Sequence, residues 1–263
     1  MNFFKQGTEE NLSVEDKKKF LSFIANGDSR EKALFKVKNI TYALSCELSD
    51  NMLTLIDWYQ DSMILSTEDK IQKLIFFDTE TTHINGLAVS LAMILTDLEG
   101  NILETYYEEI NPLIKNDPES FEVHKLSDEH LATCKTFEEL EPSITSFLNK
   151  GDILVAHNIS YDIGVLIREY ERLDKDFPSI LSMKLDTMTS IKNMIEFKGI
   201  KKKNPKLSEV AIMLNFDLNN ITLHNALDDT NLMLEIYKAI INNPEVKLIL
   251  TEEIVNLCKK DKT

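Results

Sequence analysis

Cysteine is scarce in this sequence, and the few cysteines are far apart. The chain of 263 residues contains three, Cys46, Cys134 and Cys258, without any Cys-x-x-Cys spacing. An odd number of widely separated cysteines is typical of free thiols. Neither a disulfide framework nor a zinc site is therefore indicated by the cysteine pattern.

Long hydrophobic runs are also missing. A membrane-spanning helix needs roughly 20 consecutive apolar residues, and the apolar runs of this chain are far shorter. The first residues, Met1 to Gln6, contain no extended apolar signal core. We therefore expect a cytoplasmic protein without a membrane partner. The sequence also has no internal repeat and no low-complexity tract.

Basic residues are fewer than acidic ones, 29 against 44, so the formal net charge is −15. This charge argues against a protein that coats nucleic acid nonspecifically, because binding to phosphates depends on Lys and Arg. It does not exclude an enzyme that acts on one strand end. Residues 198–206 form a strongly basic segment, and both a loop that is simply solvated and a loop that steers phosphates are consistent with it.

The composition, 43% hydrophobic and 28% charged, is that of an ordinary folded protein. Residues 1–71 are predicted to be an all-helical extension, because apolar residues recur there at helical spacing. From Lys73 onward the pattern changes to strands, and residues 72–243 are expected to form an α/β domain. Residues 244–263 are expected to be a short charged helical tail.

Strand and helix patterns alternate within residues 72–243. After a first strand at Lys73, residues 87–96 and 102–110 are expected to form antiparallel strands. The other expected elements are a helix beginning near 136, a strand at 152–156, a helix at 161–173, a strand at 183–187, and helices near 187–197, 206–214 and 226–241.

An acidic pair directly follows the first strand. Four large apolar residues, Leu74 to Phe77, predict a strand that is buried on both faces. Residues two apart in a strand point to the same side, so Asp78 and Glu80 would direct their carboxylates to one place. Such a pair favours a bound cation, and oxygen ligands suit Mg²⁺ or Mn²⁺. A solvated strand end is the alternative interpretation of this pair taken alone.

Two further acidic motifs occur later in the chain. Asp162 follows His157 at an expected corner between a strand and a helix. His224 lies five residues before Asp229 at the start of an expected helix. Asp228 is the neighbouring alternative to Asp229, but adjacent helical residues point about 100° apart, so one of the two is expected to face a metal site.

These motifs resemble those of a known family. In order, Phe77-Asp78-Thr79-Glu80-Thr81-Thr82, His157-Asn158-Ile159-Ser160-Tyr161-Asp162 and His224-Asn225-Ala226-Leu227-Asp228-Asp229 are similar to the three motifs of the DEDDh (DnaQ-like) 3′–5′ exonucleases. The resemblance covers about residues 73–243. Residues 117–124, 127–129 and 185–187 also resemble the proofreading epsilon subunits of bacterial DNA polymerase III.

The resemblance implies a ribonuclease H-like fold, a mixed sheet flanked by helices, for the exonuclease domain. It also implies two Mg²⁺ or Mn²⁺ ions held by four carboxylates, one ion preparing the attacking water and the other stabilising the leaving oxygen. His224 would take the proton from that water. The expected reaction is release of nucleoside 5′-monophosphates from single-stranded DNA 3′ ends. The implied metal ligands are Asp78, Glu80, Asp162 and Asp229.

Contacts to the terminal nucleotide are likewise implied by the resemblance. Glu119 would lie near the 3′ hydroxyl, and His124 near a phosphate. Thr79 would offer backbone contacts beside the metals. Tyr161 would border or stack on a terminal base, with half-buried packing as the alternative.

Other functions stay open from the sequence. The same motifs occur in relatives that trim RNA 3′ ends, and a nonenzymatic module that binds nucleic acid or a partner is a hypothesis of another class. Residues 1–71 could dock a DNA polymerase or another protein. The chain also departs from the family at His83 and Lys125, which stand where glycines are usual, so the turn and the substrate pocket there are expected to differ.

Overall fold

The structure is a computed structural model that describes residues 73–178, 183–218, 224–243 and 246–260. The helices predicted within residues 1–71 lie outside these described residues. Among the helices that are described, none combines the length and the apolar character required to cross a bilayer.

Five strands form the main sheet in the order β3-β2-β1-β4-β5. β1, β2 and β3 are consecutive antiparallel strands, whereas β4 and β5 continue the sheet in parallel with β1. The sheet is therefore mixed, as the sequence predicted, and β1 lies at its centre. The strands are β1 (Leu74–Thr81), β2 (Ala88–Thr96), β3 (Ile102–Glu109), β4 (Ile153–Ala156) and β5 (Met183–Asp186).

Helices cover both faces of the sheet, which completes the predicted ribonuclease H-like architecture. The α3 helix begins with a complete capping box, in which the side chains of Thr136 and Glu139 satisfy each other's backbone N–H groups. The described helices are α1 (Pro118–His124), α2 (Asp128–Leu131), α3 (Phe137–Leu148), α4 (Ile159–Arg172), α5 (Thr187–Lys192), α6 (Leu207–Met213), α7 (Ala226–Asn242) and α8 (Glu252–Lys260).

The central strand is buried on both faces because its residues alternate between two cores. Leu74 and Phe76 pack in the cluster to which α6 and α7 contribute. Ile75 and Phe77 pack in the cluster to which α3 and α4 contribute. All four side chains are completely buried, so the end of β1 that carries the acids has a fixed position in the fold.

A second, two-stranded sheet corrects two sequence predictions. The helix expected near 187–197 ends at Lys192, and β6 (Ile195–Lys198) follows it. β6 pairs in parallel with β7 (Leu248–Thr251). This strand lies within residues 244–263, which were expected to be a helical tail. Leu248 and Leu250 are buried in the core. A parallel partner about 50 residues away leaves no local pattern, and four-residue apolar runs are ambiguous between helix and strand.

Candidate active site

Three carboxylates from distant points in the chain meet at the end of β1. Asp78 and Glu80 lie two residues apart on β1, and Asp229 lies in the first turn of α7. One carboxylate oxygen from each of the three lies within 4.8 Å of the others. The structure therefore brings together the acidic pair and the acid that the third motif singled out.

The start of α7 orients Asp229. The Asn225 side chain caps the helix by accepting from the N–H groups of Leu227 and Asp228, at 3.0 and 3.2 Å. The preceding residue, His224, has a left-handed backbone with φ of 67°, and its N–H donates to Asp229 Oδ2 at 3.1 Å. Asp229 thus belongs to the three-carboxylate cluster, whereas the neighbouring Asp228 does not.

The backbone N–H of His224 holds it next to this cluster, and His224 is exposed to solvent. A left-handed conformation is uncommon for a residue with a side chain and costs on the order of 1 kcal/mol. In this conformation the His224 N–H donates to Asp229, and this bond holds the His224 backbone beside the acids.

Asp162 lies beside the three-carboxylate cluster in the first turn of α4 and is 3% exposed. Its Oδ1 accepts two hydrogen bonds from Thr79, from the backbone N–H at 3.1 Å and from the hydroxyl at 2.7 Å. The charge of Asp162 acts on both Asp78 and Glu80. The fourth predicted acid therefore lies near Asp78 and Glu80, outside the group within 4.8 Å, and is anchored to β1 by the residue between them.

Burial and mutual repulsion disfavour the ionised forms of these acids. Burial is the largest cause in each case. It raises the pKa of Asp78 well above its ordinary value, with further contributions from the charges of Asp162, Glu80 and Asp229. Burial and the charges of Asp229 and Asp162 raise the pKa of Glu80 to about 8.

The two remaining acids also have raised pKa values, although each accepts hydrogen bonds that oppose the shift. Burial raises the pKa of Asp162 to about 7, against the two bonds from Thr79. Burial raises the pKa of Asp229 to about 7, against the bond from the His224 N–H. A group of buried carboxylates at this separation needs either protons or cations to offset its charge.

The donor set fits divalent metal ions, which the exonuclease fold implies. Asp78, Glu80 and Asp229 offer oxygen ligands within 4.8 Å of one another, and Asp162 supplies a fourth carboxylate beside them. Oxygen ligands and concentrated negative charge are what hard divalent cations prefer. The residues that could hold such ions are therefore the four acids.

Thr79 and Tyr161 make contacts within the protein. Both donors of Thr79 are engaged with Asp162, so its N–H is not available to a substrate in this arrangement. The Tyr161 hydroxyl lies 2.7 Å from the Thr81 hydroxyl, and its ring packs against the core under α4. This is the packing alternative that the sequence left open for Tyr161.

His124 has a defined tautomer. Its Nδ1 accepts from the Leu126 N–H at 3.0 Å, so in the neutral ring the proton is on Nε2. Burial lowers the pKa of His124, which favours this neutral form. Nε2 is buried and has no hydrogen-bond partner among the described residues. His124 therefore presents an unsatisfied N–H donor.

Glu119 is exposed in the first turn of α1. The start of this helix is tied to the end of β1, because the Asp117 N–H donates to the Thr82 carbonyl oxygen at 2.9 Å. Glu119 and His124 are both on α1, so this tie places them on an element that is joined to the strand carrying Asp78 and Glu80.

The two departures from the family pattern have different consequences. Lys125 has a φ of 61°, a left-handed conformation at the end of α1 that glycine adopts without strain. After β1, His83 lies in a turn in which Asn85 is left-handed and the Gly86 N–H donates to the His83 carbonyl oxygen at 2.7 Å. A Cβ at Gly86 would lie 2.4 Å from the Thr82 hydroxyl oxygen, so the turn depends on this glycine.

Some residues near the site were not given a role from the sequence. Asp186 is 8% exposed, and its Oδ1 accepts from the N–H groups of Asn158 and Met188 at 3.0 and 2.9 Å. It thereby fixes the corner between β4 and α4, which carries Asp162. Its only signal in the sequence was the match over residues 185–187. Asn225, the α7 cap, lay within the third motif but was not singled out.

The basic loop is connected to the same end of the sheet. His157, which follows β4, has its Nε2 2.9 Å from the Pro205 carbonyl oxygen. Within the loop, Lys203 pairs with Glu209 at 2.5 Å, whereas Lys201 and Lys202 are exposed. Lysines of this loop therefore face solvent near the end of β4, the strand parallel to β1.

A family comparison covers most of this region. The model of the family described as exonuclease, RNase_T, matches residues 75–237. The match begins in β1 and ends in α7, so it contains all four acids and His224.

Curated relatives and solved structures agree with this match. DNA polymerase III subunit epsilon of Escherichia coli strain K12 is 29% identical over 182 residues, which cover 64% of this chain and 71% of the relative. Exonuclease I of E. coli in complex with a dA16 oligonucleotide aligns with a TM-score of 0.56 at 15% identity, over 66% of this chain and 42% of that one. The chain thus spans less than half the length of exonuclease I.

A second similar solved structure is the nuclease domain of 3′hExo, a DEDDh family member, bound to rAMP. It aligns with a TM-score of 0.56 at 14% identity, over 68% of this chain and 96% of that domain. At such low identities the two solved structures show a shared fold.

Proposed function

Because this chain belongs to the exonuclease family and carries a hydrolytic domain of the 3′–5′ type, we propose that it removes nucleotides from single-stranded DNA 3′ ends. The products would be nucleoside 5′-monophosphates. The proposed cofactors are two Mg²⁺ or Mn²⁺ ions, and the proposed general base is His224.

One observation carries this proposal. Asp78, Glu80 and Asp229 converge within 4.8 Å at positions covered by the exonuclease family match. Burying like charges together lowers the stability of a fold unless cations or protons offset them. The convergence is therefore best explained by cation binding for catalysis.

The acids would hold the ions, with Asp162 kept in position by Thr79. When bound, divalent ions supply positive charge that stabilises the extra negative charge of a phosphodiester under attack. His224 would accept a proton from the attacking water as the new P–O bond forms. The bond from phosphorus to the 3′ oxygen of the preceding nucleotide breaks, and that oxygen takes up a proton.

His124 and Glu119 are proposed to bind the terminal nucleotide. The Nε2–H of His124 is buried and unsatisfied, and it would donate to a phosphate oxygen bound against α1. A neutral donor positions a phosphate without adding charge. Glu119, exposed on the same helix, is suited to accept from the 3′ hydroxyl.

DNA is proposed as the substrate because curated relatives that match over most of their length are subunits of DNA polymerase III. For the same reason, proofreading in association with a DNA polymerase is the proposed context. Docking of such a polymerase through residues 1–71 is proposed as well, and the division at residues 72 and 243 stays a prediction. Comparing polymerase binding by the full chain and by a chain lacking residues 1–71 tests this docking.

The proposed reaction is tested with single-stranded oligonucleotides labelled at the 5′ end. In Mg²⁺ or Mn²⁺, the wild-type protein is expected to shorten them one nucleotide at a time, and EDTA is expected to stop the reaction. Asp78→Asn should lower the rate by at least about 100-fold, because it removes a charge from the cluster. Asp228→Asn is the matched control, since Asp228 lies next to Asp229 but outside the cluster. Equal activity of both variants would reject the assigned site.

Two further measurements in this assay test the general base and the choice between DNA and RNA. His224→Gln is expected to lower kcat by about 10²–10⁴-fold with little change in KM, as for loss of a general base. An RNA oligonucleotide of the same sequence is expected to be a poorer substrate than DNA. A clear preference for RNA would replace the DNA proposal by the exoribonuclease alternative, with the same site.

A further inference from the structure

A second group of possible metal ligands lies outside the three-carboxylate cluster. Glu109 is the last residue of β3, His130 lies in α2, and Cys134 follows that helix. One ligand atom from each lies within 4.8 Å of the others. His130 Nε2 contacts Glu109 Oε2 and lies 3.9 Å from Cys134 Sγ.

The backbone holds these three residues in place. The N–H of Asn111, just after β3, donates to the Lys135 carbonyl oxygen at 2.9 Å, which joins the end of β3 to the segment after Cys134. Within that segment the Cys134 N–H donates to the Leu131 carbonyl oxygen at 3.0 Å. The α2 helix itself begins with a side-chain cap, in which the Ser127 hydroxyl accepts from the His130 N–H. The three donors are therefore positioned by backbone contacts that need no metal.

From this geometry we propose that Glu109, His130 and Cys134 bind a Zn²⁺ ion, with water as a fourth ligand. A thiolate, an imidazole and a carboxylate are the ligands that Zn²⁺ combines in tetrahedral sites. In such a site the nitrogen and sulfur ligands are about 3.5 Å apart, close to the 3.9 Å between His130 Nε2 and Cys134 Sγ. The Glu109 and His130 atoms need only separate to about 3.3 Å to admit the ion.

The surroundings favour a cation here. His130 is exposed, so an ion can enter from solvent, and the neighbouring Glu108 adds negative charge close to Cys134. The other carboxylate oxygen of Glu109 accepts from the Tyr107 hydroxyl at 3.1 Å. Such a hydrogen bond to a ligating carboxylate orients it toward a metal.

This proposed zinc site differs in chemistry from the group of Asp78, Glu80 and Asp229, whose ligand atoms are carboxylate oxygens. The cysteine spacing in the sequence did not indicate zinc, since only one of the three proposed ligands is a cysteine and Glu109 is distant from the other two in the chain.

Cobalt(II) in place of zinc tests the proposal, because Co²⁺ accepts tetrahedral sites and a thiolate bound to it absorbs strongly in the near ultraviolet. We expect the full, reduced and metal-stripped chain to develop this absorption with one equivalent of Co²⁺ and to lose it when Zn²⁺ is added. Cobalt at the oxygen-only active site produces no thiolate absorption.

The cysteine variants identify the ligand. Cys134→Ser is expected to abolish the absorption, whereas Cys46→Ser and Cys258→Ser, the matched controls, are expected to retain it. Glu109→Gln and His130→Gln should weaken Zn²⁺ binding by at least about tenfold, which keeps the proposal testable if Cys134→Ser fails to fold. Absence of the absorption in the wild-type chain, or its persistence in Cys134→Ser, would overturn the proposal.

Discussion

At the scale of single residues, the surroundings of each acid in the candidate active site determine its pKa. Asp162 receives two hydrogen bonds from Thr79, and Asp229 receives one from the His224 N–H. For Glu80, burial is the largest influence and the charges of Asp229 and Asp162 add to it. The ionisation of Glu80, like that of Asp78, therefore depends on a bound cation, because burial and the neighbouring charges all raise its pKa.

The raised pKa of Glu80, about 8, predicts how stability varies with pH. The folded protein binds this proton more tightly than the unfolded chain does, so stability is highest below the unfolded pKa and is lost as pH rises toward the folded value. In EDTA, the midpoint of thermal unfolding should fall from about pH 6 to about pH 8. Glu80→Gln should show a smaller fall.

Added Mg²⁺ should reverse this loss, because a divalent cation replaces the protons at the acids. The increase in the thermal midpoint on adding Mg²⁺ is therefore expected to be larger at about pH 8 than at about pH 6. Differential scanning fluorimetry of the wild-type and Glu80→Gln proteins measures both effects. An increase with Mg²⁺ that is the same at both pH values would contradict the assigned pKa shift.

At the scale of elements, α1 ends in a residue whose left-handed backbone costs free energy. Lys125 has a left-handed backbone with φ of 61°, and its N–H donates to the Phe121 carbonyl oxygen to close the helix. Its side chain makes an exposed ion pair with Glu122, and such pairs contribute little stability. The left-handed conformation, rather than the side chain, is what this position requires.

Lys125→Gly is expected to raise the free energy of unfolding by about 0.5 kcal/mol. Relief of left-handed strain is worth about 1–2 kcal/mol, and the greater freedom of glycine in the unfolded chain offsets part of it. Lys115→Gly is the control, because Lys115 is also exposed but does not have a positive φ. It should lower stability by about 0.5–1 kcal/mol. Urea unfolding of both variants measures the difference, and a loss of stability in both would contradict the prediction.

At the scale of the whole molecule, the net charge has the same sign as the charge of the proposed substrate. The net charge of −15 repels nucleic acid, yet Lys201 and Lys202 are exposed on the loop joined to the end of β4 through His157. A local basic segment can attract a strand end even when the total charge is negative. We therefore expect these two lysines to contribute to substrate binding.

The double variant Lys201→Glu with Lys202→Glu is expected to raise KM for single-stranded DNA and leave kcat nearly unchanged. The dependence of log affinity on log salt should become shallower by about 0.7 for each phosphate that is no longer neutralised by a lysine. The control variant is Lys150→Glu with Lys238→Glu, equal in charge. Lys238 lies at the end of the sheet where β1 begins, because a Cβ at Gly100 in the β2–β3 turn would lie 2.6 Å from its Cγ. Equal effects of both double variants would indicate only a dependence on total charge.

Much of the fold was predictable from the sequence because it depends on local patterns. Leu74 to Phe77 and β2 are predominantly apolar segments, and the apolar residues of α7 recur at helical spacing. β6 and β7 were not predictable in this way, because each is four residues long and is stabilised by its distant parallel partner. A helix was predicted for residues of β6 for this reason.

The sequence by itself predicted the acids of the candidate active site, because their spacing within β1 and at the starts of α4 and α7 follows from local structure and matches one family. Only the tertiary structure decided how they are held: Thr79 anchors Asp162 across 83 positions of sequence separation, and His224 orients Asp229 through a left-handed backbone. It also brought Glu109 to His130 and Cys134. Contacts between residues far apart in the chain depend on strand pairing and helix packing, which no local pattern specifies.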